Sequence, residues 1–216
     1  MKGQIVISEV EKGAIAQVAK VRHSGFYEDR AAEYFEETRH ADLGMLYQWF
    51  LSELPRGGLI LDAGSGSGRD TLEFVKRGYR VEAFDASAAL AALSSLYTGV
   101  QTEVLAFENF NMRPERYDGI WALASLLHVP RRELPRVVAE LAASLKPGGI
   151  FFATFKAGAK DLVDEFGRSF TNLSKDSAER LFSATNWFDQ VEIREVEGAA
   201  SFGQRTIWIH VLAKRR

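Results

Sequence analysis

The spacing of apolar positions changes repeatedly along the chain, and each change marks an element. From residue 57 onward, short stretches suited to strands, Leu59 to Ala63, Arg80 to Phe84, Gln101 to Ala106, Tyr117 to Leu123 and Ile150 to Phe155, alternate with segments of helical period. Leu134, Val137, Val138, Leu141, Ala142 and Leu145 form the clearest helical stripe. A helix after Gly68, ended by Gly78, is expected to bury Leu72 and Val75, and another runs from Ala88 to Tyr97 behind Ser87. Strand and helix in alternation predict a mainly parallel sheet with helices on its faces.

Both ends depart from that rhythm. Lys175 to Ala184 reads as a short helix, Val191-Glu192-Ile193-Arg194 alternates as a half-exposed strand does, and Thr206 to Ala213 is a last strand after a Glu197 to Gln204 turn. Two strands with no helix between them pair as an antiparallel hairpin. Lys156 to Ser174, hinged at Gly158 and Gly167, reads as a long loop of the kind that covers sites. Before the first strand, the stripe Tyr27, Ala31, Tyr34, Phe35 and the stripe Leu43, Leu46, Tyr47, Phe50, Leu51, Leu54 predict two amphipathic helices, stopped by Pro55-Arg56-Gly57-Gly58. In residues 1–24, Ile7, Val10, Ala14, Val18 and Val21 recur at helical spacing, whereas Ile5-Val6-Ile7 can equally open a strand. This arm is assigned no function.

Composition narrows the class. The 216 residues are 46% hydrophobic and 26% charged, the balance of an ordinary globular domain. A formal charge of −2 offers no general attraction to phosphate backbones, so nucleic acid is not an expected partner. The absence of cysteine excludes a disulfide framework, a thiolate nucleophile and a cysteine-ligated metal. The apolar run Gly119 to Leu127 is too short to span a bilayer, and no secretory pattern opens the chain, so a cytoplasmic location without membrane attachment is expected. Nothing in the sequence indicates an oligomeric state.

The candidate chemistry gathers at Asp62-Ala63-Gly64-Ser65-Gly66-Ser67-Gly68-Arg69-Asp70, where a strand gives way to a glycine-rich turn and then a helix. Lacking Cβ atoms, the glycines let a ligand lie against backbone N–H groups at the positive end of the helix. Arg69 stands where a dinucleotide fingerprint places a third small residue, and Asp62 brings a carboxylate that suits a cationic ligand better than a pyrophosphate. Asp85 ends the next strand at close to the span, about 20 residues, at which an acid reaches a ribose. It can alternatively cap the following helix, although Ser87 is the more natural cap.

Asp62-Ala63-Gly64-Ser65-Gly66-Ser67-Gly68 resembles motif I of the class I S-adenosylmethionine-dependent methyltransferases, and Lys146-Pro147-Gly148-Gly149 resembles the turn before their fifth strand. The resemblance runs from about Tyr27 to the C-terminus. Among small stand-alone members, the general look is closest to the tellurite-resistance type. The implied fold is α/β, a Rossmann-like, mostly parallel sheet with an antiparallel C-terminal hairpin and an N-terminal helical cover. One domain then spans residues 1–216, with an arm at 1–24, a cover at 25–56 and a core at 57–216. The implied cofactor is S-adenosyl-L-methionine, held by Asp62, Ala63, Gly64, Ser65, Gly66, Gly68, Arg69, Asp85, Ala86, Phe107, Glu108, Ala122 and Ser125. In that reading Arg69 meets the methionine carboxylate, while Phe107 and Glu108 meet the adenine; a solvent-facing arginine and a solvated loop glutamate are the plainer alternatives.

The acceptor is read from what is missing. No Asn-Pro-Pro-Tyr segment follows the fourth strand, no cysteine serves a covalent route and no carboxylate cluster suggests a magnesium site, which leaves a small molecule. Tyr27, Tyr34 and Arg39 in the cover, and Arg168 and Phe170 in the long loop, are candidates for closing on it. His128 falls at the carboxyl end of the fourth strand, where it is either a proton acceptor or a histidine bonded to the backbone. Two rivals remain at this level: a nicotinamide-dependent oxidoreductase, and a protein that binds S-adenosylmethionine without turnover.

Overall fold

The structure is a computed structural model that describes residues 25–184, 186–199 and 205–216. The N-terminal arm of the sequence reading lies outside the described residues. Three short helices come first: α1 (Gly25–Asp29), α2 (Ala31–Thr38) and α3 (Gly44–Leu51). The alternating core follows as β1 (Leu59–Ala63), α4 (Arg69–Lys76), β2 (Arg80–Asp85), α5 (Ala88–Thr98), β3 (Thr102–Val104), β4 (Tyr117–Ala122), α6 (Leu134–Ser144) and β5 (Leu145–Lys156). A two-stranded ribbon, β6 (Leu162–Val163) with β7 (Ser169–Phe170), then precedes α7 (Lys175–Ser183), β8 (Phe188–Ala199) and β9 (Arg205–Arg215).

Seven strands make one sheet in the order β3-β2-β1-β4-β5-β9-β8. The first five are parallel, and β9 enters antiparallel between β5 and β8. Strand order reverses beside β1, because its neighbours β2 and β4 lead away in opposite directions. That reversal opens a crevice at the carboxyl ends of the strands, where open α/β sheets hold their ligands.

Alternation along the strands builds two cores. Leu61, Ile120, Phe151 and Ala153 face α6 and α7, while Ile60, Trp121 and Phe152 face α3 and Phe74 of α4. The Trp121 and Phe152 rings stack at 4.2 Å with 13° between their planes, and Phe50 docks on that pair with its ring centre 5.1 Å from Trp121. Gly119 makes the docking possible, since a Cβ there would lie 2.7 Å from Phe50 Cζ and 2.8 Å from Leu54 Cδ1. Where β4 and β5 begin, Asp118 accepts the Leu59 N–H and the Lys146 ammonium, each at 2.8 Å. Lys146 therefore ties β5 to β4 at the amino ends of these central strands.

Several boundaries differ from the sequence reading. The cover is three helices, with breaks at Arg30 and before Gly44. Phe74, together with Asp70 and Thr71, is the buried face of α4; Val75 is 37% exposed, because the helix turns its aromatic ring toward Trp121 and Tyr47. The long loop contains the β6–β7 ribbon, and β8 continues to Ala199 because its ladder with β9 extends that far.

Gly119→Ala should lower stability by about 1–3 kcal/mol, the usual cost of an inserted methyl in a packed core, with the sheet intact. Thermal and chemical denaturation measure this, and an unchanged midpoint would mean that the cover does not dock on the sheet at that point.

Candidate functional site

Three left-handed glycines shape the turn between β1 and α4: Gly64 at φ 79°, Gly66 at 54° and Gly68 at 77°. At two of them a side chain is also excluded by contact. A Cβ on Gly64 would meet Ser125 Cβ at 2.5 Å, and one on Gly68 would meet Ser94 Oγ at 2.5 Å. The turn is fastened to its neighbours by Gly64 N–H and Ser65 N–H donating to the Phe84 carbonyl at 2.9 and 3.0 Å, and by Ser125 Oγ donating to the Ala63 carbonyl at 2.7 Å.

Asp85 faces the same turn. Its two oxygens accept Gly66 N–H at 2.8 Å and Ser87 N–H at 2.9 Å. The cap of α5 is Ser87, whose Oγ accepts Leu90 N–H at 3.1 Å. Asp85 is left as the carboxylate at the end of β2, beside the glycines.

Above the turn lies a cleft of about 1460 Å³. Gly64, Ser65, Gly66, Arg69, Asp85, Ala86, Phe107, Glu108, Ser125, His128, Tyr27, Tyr34 and Phe170 all line it. Residues expected at the site that lie beneath or behind its wall are Asp62, Ala63, Gly68, Ala122 and Arg168. Arg39 turns outward to Glu36.

Charges are deployed differently from the sequence expectation. Asp62 is 2% exposed and accepts Thr71 Oγ1 at 2.6 Å; burial, with the Asp70 charge nearby, pushes its carboxyl up to about 8. Arg69 gives its fork to Asp70 at 2.7 and 3.0 Å and a further N–H to the Thr38 carbonyl at 3.3 Å, so Asp70 already takes the bidentate face expected to meet a ligand carboxylate. Burial works against a charge on Asp70, yet the Arg69 guanidinium and hydrogen bonds from Tyr47 and Trp121 hold its carboxyl below the usual range. Arg168 is 3% exposed, paired with Asp164 at 2.7 Å and set 4.5 Å from the centre of the Phe26 ring. It supports the wall from behind.

His128 has a defined tautomer. Its Nδ1 lies 2.9 Å from the Ser169 carbonyl, which can only accept, so Nδ1 carries the proton and Nε2 is left as an acceptor. Tyr27 Oη–H donates to Nε2 at 2.9 Å. Burial pushes the imidazole down to about 4, with the Arg168 and Lys156 charges adding to the effect, so the ring is neutral at physiological pH. Burial likewise pushes the Tyr34 hydroxyl up to about 12.

Reading the sequence missed the Tyr47 and Trp121 contacts to Asp70, the pairing of Tyr27 with His128, and the contribution of β8 and β9, whose Val196, Gly198, Trp208 and His210 line one end of the cleft. No local pattern signals such contacts between residues so distant in sequence. The conspicuous clue was the aromatic and histidine content of otherwise apolar strands.

The family of methyltransferase domains matches residues 60–149, a segment running from β1 to the Gly149 turn. The match is to the domain in general and does not single out the tellurite-resistance type. No curated protein matches the chain in sequence. Among solved structures, a Burkholderia thailandensis 1,6-didemethyltoxoflavin N1-methyltransferase, crystallised with 1,6-didemethyltoxoflavin and S-adenosylhomocysteine, is similar over 99% of this chain and 93% of its own at 21% identity and TM-score 0.69. An S-adenosylmethionine-dependent methyltransferase of Methanosarcina mazei is similar over 81% of this chain and 99% of its own, at 18% identity and TM-score 0.67. A Haemonchus contortus phosphoethanolamine N-methyltransferase, crystallised with its phosphomonomethylethanolamine ligand and S-adenosylhomocysteine, is similar over 86% of this chain and 60% of its own, at 14% identity and TM-score 0.61. At these identities the likeness establishes the fold. Among the described residues, no helix is long and apolar enough to cross a membrane.

The depressed His128 value has a consequence for stability. The folded protein resists protonating this ring, whereas the unfolded chain protonates it near 6.5, so the contribution is complete above 6.5 and is lost as pH falls toward 4. The difference in melting temperature between the wild type and His128→Gln should therefore narrow between those pH values. A difference independent of pH would mean that the ring is not held neutral.

Proposed function

We propose that this protein is an S-adenosylmethionine-dependent methyltransferase that carries the methyl group to a small-molecule acceptor by in-line displacement. The observation that carries the cofactor side is the cradle: Gly64 and Gly66 present bare backbone to a cleft that Asp85 also faces. The residues fit the group. A nucleoside laid over Gly64 and Gly66 meets backbone with no side chain of their own, and a carboxylate such as Asp85 is suited to accept the hydroxyls of a ribose. Phe107 and Glu108, in the turn after β3, stand along the same wall and suit an adenine ring and its exocyclic amine.

The volume supports a small second ligand. About 1460 Å³ exceeds the roughly 300–1,000 Å³ of a single-ligand pocket, so the cleft has room for a cofactor and an acceptor together. When bound, the sulfonium supplies an activated methyl, and most of the catalytic work left to the protein is alignment. Tyr27, Tyr34 and Phe170 then form the cover at the reacting end. Tyr27 keeps a fixed direction because His128 holds its hydroxyl, and Phe170 packs its ring centre 5.0 Å from the His128 ring centre.

His128 is the basic group nearest the reacting end in this reading. Two features keep it from serving as a base: its basicity is low, and its ring nitrogens are already engaged by the Ser169 carbonyl and the Tyr27 hydroxyl. The arrangement therefore suits an acceptor that attacks through a lone pair it already has, with His128 and Tyr27 positioning it. A nicotinamide cofactor has less support, because Arg69 occupies the third small-residue position of the dinucleotide fingerprint and is bound to Asp70.

Calorimetric titration tests the cofactor assignment. Asp85→Ala should weaken S-adenosylmethionine and S-adenosylhomocysteine by tenfold or more, since a carboxylate bonded to two hydroxyls is worth about 1.5–3 kcal/mol per bond. Equal affinity in the variant, or a wild type that prefers NAD, would overturn the reading.

A further inference from the structure

One end of the cleft is built by the outer strands, away from the glycine turn. Cross-strand register places Thr154 beside His210 and Lys156 beside Trp208, with side chains of one parity on a common face. All four line the cleft, together with Met45 of α3. They form a polar and aromatic wall that the cofactor cradle does not use.

Two groups on this wall lack partners that their surroundings would normally supply. His210 is 6% exposed, and its Nδ1 is buried without a hydrogen bond among the described residues. An unpartnered nitrogen is tolerated more readily as a bare lone pair than as a buried N–H, which puts the proton on Nε2 and makes this cleft-lining residue a donor. Burial, with the Arg194 charge, favours the neutral ring. Lys156 holds its ammonium 3.8 Å from the centre of the Phe170 ring, and among the described residues no carboxylate is within salt-bridge distance of it. Its charge is disfavoured by burial and by Arg168, so a counter-charge placed there gains more than it would at an open surface.

The geometry between them has a scale. Lys156 and His210 are diagonal neighbours on β5 and β9, a relation that sets side-chain origins about 7–8 Å apart, the width of a small fused ring system. Trp208 stands beside Lys156 across the ladder, its indole N–H tied to the Ala199 carbonyl at 3.2 Å, and a Cβ on Gly198 would crowd its ring at 3.1 Å. The indole is thus held in one orientation and offers a flat apolar surface.

We propose that Lys156, Trp208 and His210 form the acceptor subsite, and that it selects a planar small molecule bearing an anionic oxygen, paired with the Lys156 ammonium and accepting the His210 N–H. This rests on the methyltransferase reading and specifies its acceptor class. It also agrees with the weak basicity of His128, because an acceptor that arrives deprotonated needs no proton removed.

The test uses a probe pair of one shape and two charges, 2-naphthoate and 2-naphthamide, titrated calorimetrically into the full chain at saturating S-adenosylhomocysteine. Naphthoate should bind about tenfold more tightly, as one partly desolvated ion pair predicts. Lys156→Met should abolish that preference, and His210→Phe should reduce it while leaving S-adenosylhomocysteine affinity within twofold. Equal binding of acid and amide, binding of neither, or a preference that survives Lys156→Met overturns the subsite. The S-adenosylhomocysteine titration on the same sample keeps the two failures apart: with that ligand bound and no charge preference, only the subsite falls, whereas no binding of it removes the methyltransferase reading on which the subsite rests.

Discussion

The rest of the structure depends on satisfying one buried charge, the Asp70 carboxylate. A carboxylate 5% exposed is tolerable only when surrounded by donors. Here they come from different parts of the chain: the Arg69 fork on the same helix, Tyr47 Oη of α3 at 2.5 Å, and Trp121 Nε1 of β4 at 2.9 Å. Arg69 in turn reaches the end of α2 through the Thr38 carbonyl. Meeting that requirement fixes the cover, the first turn of α4 and the central strand relative to one another, and so fixes the glycine turn at the junction of all three.

The same requirement decides the state of Asp62. Two neighbouring carboxyls inside one low-dielectric pocket do not both keep their charge cheaply. The one with guanidinium, phenol and indole donors remains ionised, while the one whose hydrogen bond comes from Thr71 is driven toward the protonated form. The acidic residue that opens the glycine motif thus belongs to the foundation of the site.

Much of the architecture was legible in the sequence because its signals are local. β1 begins and ends where the apolar run and first glycine place it, Ser87 caps α5, and the stripe from Leu134 to Ala142 is the buried face of α6, while Leu145, expected to end that helix, opens β5 instead. The glycine turn with Asp85 beside it was legible for a similar reason, since a left-handed turn packed closely on its neighbours demands glycine. What escaped depends on contacts across the fold. The rotation of α4 that buries Phe74 in place of Val75 follows from the rings of Tyr47, Phe50 and Trp121, which reach it only after the cover docks. The tautomer of His128 is set by a carbonyl of the ribbon, and the role of β9 in the cleft follows from its insertion between β5 and β8. Arg168, conspicuous in the loop as a charged residue, is instead packed against Phe26 and paired with Asp164.

Ala124 links the two ends of the cleft. Immediately past β4 it adopts φ 49°, a conformation that costs a residue with a Cβ about 1–3 kcal/mol, and its N–H is held by Thr154 Oγ1 at 2.8 Å. Ser125, which clasps the glycine turn, follows directly. A change at Thr154 therefore alters the outer wall and at the same time releases the strained peptide that precedes Ser125. Trp208 and His210 sit on a strand that contributes nothing to the turn. A residue of the outer strand can therefore change without moving the turn, whereas Thr154, one strand further in, cannot.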